Sequence, residues 1–253
     1  AMLGVLAFAF PFFEQCPGLK WDNFNFGDMS AGCSVKSNIL WIGPVIVMFI
    51  YGLQAMGLNI VAGYAGLLDL GYVAFFAIGA YTMGLLNSQQ LGNQIGSPNL
   101  FVWGFWLVIW FAAAAAAFAG LLFGAPTLRL RGDYLAIATL GMAEIIRVVL
   151  LNLEITNGAA GLSGIPRFLD WTWLFVLTVG SVWLIGNFLH SRHGRDCIAV
   201  REDEIAAESV GVNSTRAKTL AFTIGAFFGG LAGSMYASYF YFLKPDLFGF
   251  MQS

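Results

Sequence analysis

The chain alternates between long apolar runs and short polar joints. Runs without a charge, or nearly so, cover residues 1–13, 38–62, 70–87, 100–124, 133–151, 171–189 and 219–243. Nearly all the Gly/Pro/Asn clusters and charges fall between them. A bilayer core about 30 Å thick needs about 20 apolar residues in a helix, so this pattern predicts an all-α polytopic membrane protein of about seven spans. The first run, Ala1 to Phe13, is too short to cross unless the natural start is missing, and the chain has no initiating Met. A signal peptide is the competing reading, although no basic stretch precedes the run and no small-residue cleavage site stands out. Residues 1–253 are expected to form one transmembrane domain.

Composition gives the same solvent. Of 253 residues 58% are hydrophobic and 10% charged, against about 25% charged in soluble domains, and the mean hydropathy is +0.75. So few charged side chains cannot cover a water-facing surface, which excludes an ordinary soluble enzyme. The net charge of −2 supplies no basic field for nucleic acid.

Orientation follows from Lys and Arg, which are in excess on cytoplasmic loops. Segment 190–218 holds Arg192, Arg195, Arg201, Arg216 and Lys218, and is therefore read as a cytoplasmic loop. Seven basic residues then lie inside and four outside, with Arg147 within a span. If 70–87 is re-entrant, segment 14–37 moves inside and the balance becomes nine against two. The cysteines favour the seven-span version. Cys16 and Cys33 share segment 14–37, where an external loop could oxidise them to a disulfide worth about 3 kcal/mol; two free thiols are the alternative.

Charge within the bilayer is costly enough to suggest function. Glu144 and Arg147 lie mid-span three residues apart, so they share a helix face. They are either a structural pair or part of a wetted path. Asp69 stands in GYAGLLDLGY, where Gly63, Gly66 and Gly71 make a continuous helix costly. A broken helix is tolerated where it faces protein or a water-filled cavity, so Gly63, Gly66, Asp69 and Gly71 join Glu144 and Arg147 as candidates for a translocation path. An ordinary turn at the membrane surface is the other reading. In the last run Ala221, Gly225, Gly229, Gly233 and Ala237 recur every fourth residue, a stripe that lets helices approach closely. Ala112 to Ala117 is a smaller version.

Ten of the 26 charged residues fall in segment 190–218. Within it REDEIAAESVG (201–211) has the chemistry of one short helix, with Glu202, Asp203 and Glu204 in its first turn and Gly211 at its C-terminal cap. A helix too short to cross the membrane but too ordered to be a linker offers a docking surface.

Four stretches carry a resemblance: GLNIVAGYAGLLDLGYVAFFAIGAY (57–81), LRLRGDYLAIATLGMAEIIR (128–147), TNGAAGLSGIP (156–166) and GRDCIAVREDEIAAESVGVNSTRAKTLAF (194–222). In these the sequence resembles the M-type permease subunits of bacterial ABC importers for branched-chain amino acids. The resemblance implies a multi-pass subunit of the bacterial inner membrane. Its partners would be a second homologous permease, two cytoplasmic ATPase subunits and an external substrate-binding protein. It also implies alternating access for branched-chain or neutral amino acids, with urea or short amides as the alternative substrate.

On that resemblance 201–211 would be the coupling helix, with Arg201, Glu202, Asp203, Glu204, Ala206, Ala207, Glu208 and Gly211 meeting an ATPase. Many ABC importers carry Glu-Ala-Ala-x-x-x-Gly there. Ala206, Ala207 and Gly211 fit, but Ile205 occupies the Glu position, with Glu204 one residue earlier, and the later Leu-Pro is absent. Segment 156–166 would meet the binding protein or roof the outer mouth. Asn157 stands where the family tends to have a second glycine, and Asp69 where it usually has serine. Family members continue through further spans after a point like Phe248, so this chain is expected to be part of a longer subunit.

Other chemistry is thin. GVNSTRAKT (211–219) has one residue too many for a P-loop and Ala217 where the glycine before Lys218 belongs. No cofactor is expected in the chain itself, ATP and Mg being used by the partner ATPases. His190, His193 and Cys197 lack a fourth ligand, so no metal is expected. A membrane-embedded enzyme would need acids or His on facing helices, and only Glu144 is available within a span. An ion-coupled carrier remains the other rival class.

Overall fold

The computed structural model describes residues 42–87, 105–127, 133–156, 158, 161–163, 165 and 171–248. The run 1–13, segments 14–37 and 88–99, and the pair Cys16 and Cys33 lie outside the described residues. Eight α-helices are described: α1 Ile42–Leu58, α2 Val73–Asn87, α3 Phe105–Thr127, α4 Asp133–Asn152, α5 Trp171–His190, α6 Arg192–Glu202, α7 Glu204–Ser209 and α8 Ser214–Phe240. A π-helical turn, Asn59–Tyr64, extends α1. Five helical stretches are long and apolar enough to cross a membrane, and α2 is a shorter apolar helix. The all-α polytopic fold read from the sequence is the observed one. Its only described ladder is a two-residue antiparallel pair, Leu162 opposite Leu243 and Ser163 opposite Phe242.

Helix α8 is the axis of the bundle. Of its most apolar stretch 78% is buried, against 22% for α4 and for α5. The stripe of small residues explains this enclosure, since it removes the side chains that would hold neighbours away. Gly225 abuts Val61 and the carbonyl of Gly57, Gly229 lies under the Tyr72 ring, and Gly233 leaves no room for a Cβ against the Phe76 carbonyl. On the adjoining face Gly230 sits against Ala112, Ala113 and Ala116, and the Gly230 carbonyl closes on Gly79. The stripe and the face beside it therefore pack on α1, α2 and α3 of the same chain.

Helix α2 joins opposite ends of the bundle. The turn before it packs Gly71 against the backbone of Thr139 near the start of α4. Near its other end Gly84 meets Leu243 and Ile165, beside the short ladder. A re-entrant segment would bring both ends back to one surface, so 70–87 is read here as a crossing of only 15 helical residues, completed by the irregular stretch 65–72.

Candidate functional site

Among the described residues, the loop end of the bundle holds most of the charged side chains. Two helices form there instead of the one expected over 201–211. Helix α6 starts ten residues before Glu202, because Ser191 caps it by accepting from Gly194 N (3.3 Å). Asp203 then leaves helical geometry with φ −157° and begins a second helix. Its Oδ1 accepts from Ile205 N (2.8 Å) and Ala206 N (3.1 Å), which satisfies two of the amides that a helix start leaves unpaired. Glu202 thus ends α6 and does not belong to the first turn of α7. Helix α7 stops at a Schellman-type cap: Gly211 (φ +91°) donates to Glu208 O (3.0 Å) and Val212 N to Ala207 O (3.0 Å).

The residues of this loop divide by direction. Ala207 is buried. Glu204 turns inward to Lys218 Nζ on α8 (2.7 Å), and Glu208 accepts from the Ser214 hydroxyl. Arg201 also turns toward the bundle, donating from Nη1 to Gly63 O (2.6 Å). These contacts clamp α6 and α7 to the membrane helices. Outward lie Glu202, Ala206 and two apolar side chains, Ile205 at 82% and Val210 at 84% exposure. A short rigid helix tipped with two bare apolar side chains has the chemistry of a protein contact. Neither residue was singled out for docking from the sequence, where Ile205 counted only as a departure from a motif.

The broken segment 63–71 sits beneath this loop. A π turn widens the helix and shifts its carbonyls out of register, a feature often found at functional sites. Arg201 takes up one of those carbonyls, Gly63 O, and its aliphatic stem covers Gly66 (φ +68°). Asp69 is buried, 7% exposed. Its Oδ1 accepts from Gly71 N (2.8 Å), while Oδ2 has no hydrogen-bond partner. Thr139 Oγ1 lies close by, but it donates to Ala136 O (3.1 Å) and accepts from Leu70 N (3.2 Å).

Glu144 and Arg147 do not join this cluster. They pair with each other on α4, Arg147 Nη1 to Glu144 Oε1 at 2.8 Å. Their side chains are 53% and 29% exposed, on a face with Tyr134, Ile137 and Ile145 that the other described helices leave open. His190 bonds Gly186 O (2.8 Å), and the Cys197 thiol donates to Ala217 O (3.6 Å). Burial, then Asp196, pushes that thiol up, away from the thiolate a metal needs. Among the described residues no group of three His, Cys, Asp or Glu is placed to hold a metal.

Residues 42–253 match a family model described as the permease component of a branched-chain amino acid transport system. The high-affinity branched-chain amino acid transport system permease protein LivM of Salmonella typhimurium is 40% identical over 240 residues, covering 81% of this chain and 54% of the relative. LivM of Escherichia coli is also 40% identical, over 239 residues with the same coverage. A probable LivM of Methanocaldococcus jannaschii is 26% identical over 79% of this chain and 66% of the relative. The chain spans about half the length of the two bacterial relatives. No solved structure matches it.

Proposed function

The chain belongs to the family of branched-chain amino acid transport permease components, and from that premise we propose that it forms part of the membrane path of an ATP-driven importer for branched-chain or neutral amino acids. A second homologous permease completes the path, and two cytoplasmic ATPase subunits, which hold the ATP and Mg, drive it. An external binding protein delivers the substrate. The α6–α7 end faces the cytoplasm of a bacterial cell, and the chain sits in the inner membrane.

The observation that carries the coupling role is the build of α7. It is capped at both ends, fastened to α8 through Glu204 and Lys218, and exposes Ile205 and Val210. A rigid knob of this kind transmits force, whereas a flexible loop would absorb it. Movement of the ATPases would shift α7 and α6 together, and the glycine-packed spans would follow as rigid bodies between inward-open and outward-open arrangements. Docking thus falls to Ile205, Ala206, Val210 and Glu202, with Ala207 and Gly211 shaping the helix that presents them.

The test is ATP-driven uptake by the whole complex. Leucine, isoleucine or valine should accumulate, and the Ile205→Asp, Val210→Asp double variant should lose both uptake and ATPase association while the permease still inserts. Accumulation of urea alone would leave the architecture standing and replace the substrate. Uptake that collapses with the proton gradient and ignores ATP depletion would place the chain among ion-coupled carriers.

A further inference from the structure

Between Asn38 and Asn59 the α1 region carries a single amide side chain, Gln54. It is 6% exposed, and its Oε1 is buried without a hydrogen-bond partner. Neither lipid nor an apolar neighbour satisfies a carboxamide, and a leucine would fill the same volume without that penalty. Buried polar groups left unsatisfied in a native structure call for a specific reason.

The surroundings supply one. Helix α1 runs antiparallel to α8, Gly43 meeting Tyr239 at one end and Gly57 meeting Gly225 and Phe228 at the other. Gln54 lies one turn from Gly57 and one turn from Tyr51. Tyr51 packs on Phe76 of α2 (ring centroids 6.3 Å) and on Tyr236 of α8 (6.4 Å). Helical side chains lean toward their own N-terminus, so Gln54 leans toward the Tyr51 level. An unused acceptor therefore lies one turn of α1 from an aromatic cluster shared by three helices. Such a pairing suits a ligand with a charged N–H donor at one end and an apolar body at the other.

We infer that Gln54, with the rings of Tyr51, Phe76 and Tyr236, is a substrate-contact station, sealed in this conformation, that takes the ammonium group of a neutral amino acid at the carboxamide oxygen. The inference rests on the importer reading above. The rings receive the apolar side chain of the substrate. Helix α1 is the element able to open the station. Only 39% of its apolar stretch is buried, and its end is the π turn that Arg201 grips.

The experiment uses the full complex in proteoliposomes with its binding protein. Gln54→Met keeps the side-chain shape and loses the acceptor, and should lower leucine uptake about ten-fold or more. Gln54→Glu, which keeps an acceptor, should stay within a few-fold of wild type. Gln54→Cys in a cysteine-free background should react with a small hydrophilic thiol reagent in one nucleotide state and be protected by leucine. Wild-type uptake in Gln54→Met would overturn the station and leave the importer reading intact. So would a Gln54→Cys thiol inert in every nucleotide state, which would assign Gln54 to packing or a trapped water. If Gln54→Met fails to assemble, the labelling decides alone. A wild-type complex that moves no amino acid would remove the importer reading, and this station with it.

Discussion

Arg201 Nη1 lies 2.6 Å from the carbonyl oxygen of Gly63, a hydrogen bond between residues 138 positions apart. It joins the charged loop to the π turn at the end of α1. A guanidinium bond to a carbonyl is charge-assisted and stronger than a neutral one. The bond ties α6 to the end of α1 at a point where the helix has already left its regular ladder.

Arg201→Ala should leave the ATPase subunits bound, because the side chain points into the bundle, and should lower leucine uptake per ATP hydrolysed several-fold. Arg201→Lys should fall between, since an ammonium is a point charge without the planar fork. Parallel measurement of uptake, ATPase rate and co-purification separates the two roles. Loss of co-purification would return Arg201 to the docking surface.

Asp69→Asn should stabilise the protein at neutral pH. The Asp69 side chain is buried and its Oδ2 has no hydrogen-bond partner, so an ionised carboxylate is left uncompensated there. Asparagine keeps the Oδ1 acceptor for Gly71 N and removes the charge. The variant should gain about 1 kcal/mol over wild type near pH 7, checked by thermal unfolding in detergent; a lower unfolding temperature than wild type would mean that the carboxylate itself is needed for packing.

Gly233→Ala should destabilise by about 1–3 kcal/mol, the cost of overpacking, because its Cβ would press on the Phe76 carbonyl, which cannot swing aside as a side chain can. Gly180→Ala on α5 is the control. Nothing lies within 4 Å of a Cβ built there, so the helix should gain about 0.5–1 kcal/mol from the lost glycine freedom. Opposite shifts in unfolding temperature are expected. Shifts of the same sign would mean that propensity and not close approach sets the stripe.

The spans were legible because hydropathy is summed over 20 residues and lipid punishes every error. Observed helix ends fall within five residues of the expected ones, as with 105–127 for 100–124 and 214–240 for 219–243. The stripe on α8 was legible through its four-residue period, and so was Gly211, since only a few residues tolerate its φ of +91°. The break at Asp203 was not. An aspartate suits a first turn and an N-cap equally, and the choice depended on Ser191 starting α6 upstream. Nor could a linear reading show that Arg201 and Glu204 turn inward, because their partners, Gly63 and Lys218, are set by how α1 and α8 pack. Gln54 escaped because one amide barely changes the hydropathy of its run.

The ion pair on α4 gives the last prediction. Arg147 and Glu144 meet at 2.8 Å on a face that the described helices leave open. Removing Glu144 or Arg147 takes away the opposite charge nearest its partner at membrane depth, where a full charge costs about 2.5–3.5 kcal/mol at a helix centre, whereas replacing both removes the two charges together. Glu144→Leu and Arg147→Leu should each lower the yield and unfolding temperature of the inserted permease. The double variant Glu144→Leu, Arg147→Leu should lie closer to wild type than either single one. Transport by the double variant then separates the two readings of the pair. If it is stable and active, the pair is structural and only needs to cancel. If it is stable but inactive, the charges serve the path or a second subunit, and co-purification of the second permease distinguishes these. A double variant worse than both singles would mean that each residue is held by other partners on this face, and the cancellation argument would fail.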